Sequence, residues 1–159
     1  MDLKYVGNKD LLRHHKTAFL ASGKISSEEV MQCYDWATEM RDRGECVVSG
    51  FSSKLEQDVL HFLLKGSQPI IIVLARRMYK QLPEQWQQAL DSRRLLIIST
   101  SDATRQSKAT AAERNRYVAG LCESIRFAGV SPESSLYPLF AEYKEKVDDK
   151  DTSVIRRET

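Results

Sequence analysis

The chain has 159 residues, 42% of them hydrophobic and 29% charged, which suits one soluble globular domain with one substantial core. Its formal net charge of +2 is too small to mark a nucleic-acid binder by bulk charge, so any such function must come from local clustering. Cys33, Cys46 and Cys122 offer neither metal-ligand spacing nor an even disulfide framework, and no apolar run approaches the ~20 residues of a membrane span; the expectation is a cytoplasmic protein without membrane contact.

Residues 1–15 read as a polar lead-in segment with a turn at Val6-Gly7-Asn8. Thr17 to Ala21 is a short buried strand that ends in the turn Ser22-Gly23-Lys24. Ser26 and Glu29 have capping-box spacing and open a helix with Val30, Cys33, Tyr34, Ala37 and Met40 on one face and Gly44 as its stop. Glu45 to Ser49 is the second strand, followed by the loop Gly50-Phe51-Ser52-Ser53. Ser53 and Glu56 then cap a helix carrying Leu55, Val59, Phe62 and Leu63. Pro69 to Ala75 is apolar throughout, as a strand buried on both faces of a parallel sheet would be. Arg76 to Lys80 follows it, and Pro83 is placed at the first position of a helix through Trp86 and Leu90. Leu95 to Ser99 is the fourth strand. The polar stretch from Thr100 to Thr110 is the longest loop, and Thr110 and Glu113 have the spacing of another capping box, which places Arg114, Asn115 and Arg116 in the first turn of a helix. Ile125 to Val130 is a fifth strand, and Ser131-Pro132 is expected to cap a last helix with Leu136, Leu139, Phe140 and Tyr143. From Lys144 the chain is charge-rich. The domain is expected to span 1–146, with 147–159 as a disordered tail.

This alternation predicts an α/β, Rossmann-like fold with a mostly parallel sheet of about five strands and helices on both faces. Ligands of such folds bind outside the carboxyl ends of the strands. That edge gathers Ser22, Gly23 and Lys24; Ser49, Gly50, Phe51 and Ser52; Arg76 and Arg77; and Lys108 with Arg114, Asn115 and Arg116. Small hydroxyl residues, glycines and cations together suit phosphate groups. Cations in a first helical turn oppose the helix dipole by ~0.3–1 kcal/mol, which an anion nearby would reverse. Phe51 and Tyr79 are candidate stacking platforms, with Phe51 equally readable as a core residue. Arg93-Arg94 and His14-His15-Lys16 precede strands and read as solvated surface at the opposite edge. No catalytic constellation, metal site or cofactor is expected: His14, His15 and His61 lack partners at ligand spacing, and no Ser-His-Asp or Cys-His arrangement stands out.

The segments Tyr5 to Asn8, Phe19 to Lys24, Val47-Val48-Ser49-Gly50-Phe51, Ile72 to Leu74, Pro83, Leu95 to Ser99 and, above all, Arg114-Asn115-Arg116 to Gly120-Leu121 resemble the Rossmann-like domain of the DprA/Smf DNA-processing family over roughly residues 5 to 143. The resemblance implies a bacterial, non-catalytic protein that binds single-stranded DNA phosphates at the carboxyl edge of the sheet. It also implies a homodimer and a recombinase partner. The family's winged-helix and helical accessory domains are expected to be absent. Several positions depart from the family pattern, among them Gly23, Lys54, Glu56, Thr100 and Ala111-Ala112. The alternative is a nucleotide-ligand sensor or nucleotide hydrolase of the wider superfamily, with Glu56 as acid or base. The Pro-Gly-Gly-x-Gly-Thr run of the superfamily's phosphoribohydrolases does not occur.

Overall fold

The computed structural model describes residues 2–147. The apolar runs of the sequence become one six-stranded sheet: β1 (Lys4–Gly7), β2 (Lys16–Ala21), β3 (Cys46–Ser49), β4 (Ile70–Leu74), β5 (Leu95–Ser99) and β6 (Ser124–Ala128), in the order β1-β5-β4-β3-β2-β6. Every residue of β3, β4 and β5 is buried, as unbroken apolar runs require when both faces of a parallel sheet are covered. The pairs from β5 through β4, β3 and β2 to β6 are parallel, and β1 adds antiparallel to β5, with Lys4 opposite Ser99.

Among the described residues five α-helices cover the sheet: α1 (Ser27–Arg43), α2 (Lys54–Leu64), α3 (Glu84–Asp91), α4 (Lys108–Leu121) and α5 (Tyr137–Glu142). Two cores result. On one face, residues of α1, α2 and α3 such as Cys33, Trp36, Val59, Leu63 and Ala89 pack on Phe19, Val47, Ile70, Ile72 and Ile97. On the other, Val118 and Ala119 of α4 and Leu139 and Phe140 of α5 pack on Ala18, Val48, Ile71, Val73 and Phe127. This division follows from topology. Right-handed crossovers that step from β2 toward β5 put their helices on one face, and the crossover from β5 back to β6 puts α4 on the other. The direction reverses between β2 and β6, which makes the carboxyl ends of these two strands the switch point of the sheet.

The structure corrects the sequence reading in several places. The lead-in segment holds a strand and a 3₁₀ turn (Lys9–Arg13), which adds a sixth, antiparallel strand to the five expected parallel ones; Asn8 fixes the turn by donating its Nδ2 to the Arg93 carbonyl at 2.8 Å. Helix α4 starts at Lys108, because Ser107 and Thr110 form the capping box, so Arg114 and Arg116 lie beyond the first turn. Helix α5 begins at Tyr137 after successive turns at Ser131–Ser134 and Ser134–Tyr137, not at Ser131-Pro132. Pro83 is the residue before α3 and not its first. Of the expected tail, Val147 bridges Ile125 in parallel, and 148–159 lie outside the described residues.

Phe127 is fully buried and meets Phe140 edge to face, ring centroids 5.3 Å apart, so it couples β6 to α5. Phe127→Ala is expected to cost ~3–5 kcal/mol, read as a lower urea midpoint at unchanged slope; a midpoint within experimental error of the parent would show that this face is not part of the cooperative core.

Candidate nucleic-acid interface

The loop Gly50 to Ser53 between β3 and α2 is fixed by Ser49, Phe51 and Glu56. Ser49 is fully buried, and its Oγ accepts from the Phe51 backbone N–H at 3.1 Å. Phe51 takes a left-handed φ of 49°, a conformation costly for a side chain with a Cβ, and turns its ring into the core beside Leu55 and Val59. Glu56 closes the capping box with Ser53: its Oε1 accepts from the backbone N–H groups of Ser52 at 3.0 Å and Ser53 at 3.2 Å, while its Oε2 accepts from Ala21 N–H at 3.1 Å. This carboxylate thus ties the ends of β2 and β3 to the start of α2. Its engagement with three backbone donors makes it a structural group, and the acid-base reading of Glu56 loses its basis.

Arg114 reaches into this loop from α4. It is 3% exposed, and its guanidinium donates to the Val73 carbonyl at 3.1 Å, to Ser52 Oγ at 3.2 Å and to Asn115 Oδ1 at 2.8 Å. Burial pushes its pKa down, partly offset by the charge of Glu56. A buried guanidinium remains protonated at neutral pH, and the nearby Glu56 carboxylate balances its charge. Gly50 lies against it, and a Cβ there would overlap the guanidinium. This is why the second turn needs glycine.

The loop after β4 is clamped to the loop after β5. Thr100 Oγ1 donates to the Leu74 carbonyl at 2.9 Å, Ser99 Oγ to the Arg76 carbonyl at 2.6 Å and the Arg77 N–H to the Ala103 carbonyl at 2.8 Å. Held in this way, the Arg76 guanidinium lies over the Tyr79 ring, 4.1 Å from its centroid, and Tyr79 meets Trp86 of α3 edge to face at 6.1 Å. Between these loops and the helices α2 and α3 opens a groove of about 460 Å³, lined by Gly50, Ser52, Arg76, Tyr79, Trp86 and Arg114 among others. Arg77, Lys80 and Arg105 are exposed on the same loops, and no ion pair among the described residues engages these three or Arg76.

The predicted site residues are therefore divided. Gly50, Ser52, Arg76 and Arg114 share the groove with the rim of Phe51, and Arg77 adjoins them. Ser49 and Phe51 are buried, which removes Phe51 as an exposed platform, and Asn115 serves to hold Arg114. Arg116 is two residues from Arg114, a spacing that turns it to another face of the helix; it pairs with Glu142 and lines a different hollow with Lys108 and Asn115. Ser22 and Gly23 line a third hollow with Tyr34 and Asp58. There, at the switch point, Ser22 Oγ donates to the Gly129 carbonyl at 2.7 Å, and the Gly129 N–H is taken at 2.6 Å by Glu29, whose carboxylate sequence reading had assigned to a cap. Lys24 remains exposed beside it. Arg94, read as solvated surface, donates to the carbonyls of Leu64 at the end of α2 and Gln68 just before β4. Trp86 and the glutamines of the groove were missed, because a tryptophan three residues after a helix-opening proline carries the signal of a core stripe.

The sequence model of the DNA recombination-mediator protein A family matches residues 2–129. The chain belongs to this family. It is similar in structure to DNA processing protein A (DprA) from Streptococcus pneumoniae, with a TM-score of 0.72 and 22% identity, covering 91% of this chain and 53% of that one. DNA processing protein A from Helicobacter pylori, a structure described as revealing a unique single-stranded DNA binding mode, gives a TM-score of 0.71 and 19% identity over 91% of this chain and 69% of its own. The molybdenum cofactor carrier protein from Chlamydomonas reinhardtii shares the fold at a TM-score of 0.55 and 10% identity, covering 89% of this chain and 82% of that one. The chain thus spans about half the length of the pneumococcal protein. No curated protein matches the sequence. No helix among the described residues is long and apolar enough to cross a membrane.

Removing the Glu56 carboxylate leaves three backbone donors without their acceptor. Glu56→Ala is expected to lower stability by ~2–4 kcal/mol in urea denaturation, with Glu56→Gln, which keeps one acceptor oxygen, falling in between; equal stability of all three would mean that the carboxylate does not hold the loop.

Proposed function

We propose that this chain binds single-stranded DNA without chemically altering it, and that the strand lies across the carboxyl ends of β3 and β4, in the groove between the Gly50–Ser52 loop and the Arg76–Lys80 loop. The observation that carries this reading is the Arg76 guanidinium stacked on Tyr79, beside the exposed Arg77, Lys80 and Arg105, none of which forms an ion pair among the described residues. Cations and an aromatic face in one groove are what single-strand binders combine, the cations tracking phosphates and the rings meeting bases. The Helicobacter relative of the same family supports single-stranded DNA as the ligand class. Arg114 contributes from beneath by holding Ser52 in place, whereas the switch point between β2 and β6 has donors occupied by Glu29 and Glu56. The nucleotide-hydrolase alternative is not favoured, since its candidate carboxylate is engaged with backbone N–H groups.

Fluorescence anisotropy of a labelled oligothymidylate tests the reading. The double variant Arg76→Ala, Arg77→Ala is expected to bind more weakly and to lower the slope of log affinity against log salt by ~1.4, since each single-strand phosphate contact contributes ~0.7. Thermal unfolding should stay near that of the parent, because both side chains lie outside the cores. Affinity and slope unchanged at low salt would refute the assignment.

A further inference from the structure

Arg76 and Arg77 are adjacent residues of equal charge, yet the fold treats them differently. The backbone around Arg76 is held by the segment that follows β5. The Leu74 carbonyl accepts from the Thr100 N–H at 3.0 Å and from Thr100 Oγ1 at 2.9 Å, the Arg76 carbonyl accepts from Ser99 Oγ at 2.6 Å, and the Arg77 N–H donates to the Ala103 carbonyl at 2.8 Å. Ser99 is 1% exposed, and its hydroxyl also lies 3.0 Å from the Ser101 carbonyl, so a single buried hydroxyl serves both loops. The Arg76 side chain is fixed in turn. Its Nε donates to the Arg77 carbonyl at 2.9 Å, and its guanidinium lies 4.1 Å from the centroid of the Tyr79 ring, against which Trp86 packs edge to face. Nη1 and Nη2 of Arg76 make no hydrogen bond among the described residues, so their N–H groups stay available to a ligand. Two such nitrogens in one plane match two oxygens of a phosphate. The Arg77 side chain is exposed and has no hydrogen bond, ion pair or ring contact among the described residues.

We propose that Ser99 and Tyr79 are positioning residues: they hold the Arg76 guanidinium in advance in the orientation that receives a phosphate, and Tyr79 acts on the strand through Arg76 and not by stacking on a base. The proposal rests on the single-strand reading and divides its affinity unequally between the two arginines. A free arginine side chain has to be ordered when it binds, which lowers affinity by about 2- to 12-fold for one such side chain. At Arg76 the fold has done this ordering before the ligand arrives. Arg76 covers one face of Tyr79 and Trp86 packs beside it, so the ring is engaged within the protein. Ser99 fixes the backbone from which the guanidinium starts, and Tyr79 fixes where it ends.

Losing the charge and losing its positioning leave different signatures in anisotropy titrations, over a range of salt, of an oligothymidylate of about 12 nucleotides and an abasic oligomer of equal length and charge. Arg76→Ala is expected to weaken binding and to lower the slope of log affinity against log salt by ~0.7, one phosphate contact. Tyr79→Leu leaves the charge in place. It is expected to keep the parent's slope while weakening both oligomers by the same factor, about 2- to 12-fold. Tyr79→Phe, which retains the ring, is expected to show no such loss. Added to Arg76→Ala, Tyr79→Leu should bring no further weakening, and Ser99→Ala, assayed well below its unfolding temperature, should follow the same pattern. A loss that came only from a loosened structure would persist at full size in the Arg76→Ala background. That result, or parent-like binding by Tyr79→Leu, would overturn the positioning role. So would a Tyr79→Leu loss confined to the thymidylate, which would show the ring meeting a base. Affinity and slope of Arg76→Ala equal to the parent's would overturn the single-strand reading of the groove and the positioning role with it.

Discussion

A guanidinium taken out of water costs several kcal/mol unless its donors are satisfied, and Arg114 sits 97% out of water in the middle of this protein. What satisfies it also organises its surroundings. Its bond to the Val73 carbonyl takes an acceptor on β4, its bond to Ser52 Oγ fixes the loop after β3, and Asn115 holds Nε from the same helix. The guanidinium fits only because residue 50 has no side chain. One buried cation therefore links a glycine, a serine, an asparagine and a strand, and the groove opens along the line they define. Glu56 complements it electrostatically and, through three backbone donors, ties the same loop to β2.

The switch point of an open α/β sheet is the general location of a ligand, yet in this chain the backbone amides of Ala21 and Gly129 at that location are engaged from within. Glu29 accepts from Gly129, Glu56 from Ala21, and Ser22 donates back to Gly129. Gly129 takes a left-handed φ of 68°, and a Cβ on it would press on Ser22, which keeps the β2 and β6 ends close. An incoming anion would have to displace carboxylates to reach these amides. The β3 and β4 ends, by contrast, present cations, an aromatic pair and an open groove. The proposed strand path is thus displaced by one to two strands from where topology alone would place it.

The sheet and most helices were legible because their signals are local and strong. Apolar runs from Ile70 to Leu74 and from Leu95 to Ser99 admit only buried strands, and Ser26 and Ser53 announce α1 and α2 by their caps. Strand β1 was not legible: four residues of mixed polarity become a strand only through the edge of β5. Helix α4 was misplaced by three residues because Ser107/Thr110 and Thr110/Glu113 both have capping spacing, and only tertiary packing chooses between them. That small shift matters for the site. It moves Arg114 from an exposed first turn to a buried second one and parts it from Arg116, so the arginine motif splits into an internal strut and a surface ion pair with Glu142. Trp86, Gln85 and Gln106 carry no motif and come together only when α3 and the loop before α4 meet at the groove.

The central claim is that a single strand occupies the β3 and β4 ends and not the β2 and β6 switch point. Backbone amide chemical shifts of the labelled protein, followed during titration with oligothymidylate, test it residue by residue. The account expects perturbations to cluster at Gly50 to Gln57 and Arg76 to Trp86, with Ser22 to Lys24 and Gly129 little affected. Shifts confined to Ser22 to Lys24 and Gly129, or to the surface around Arg116, would contradict it.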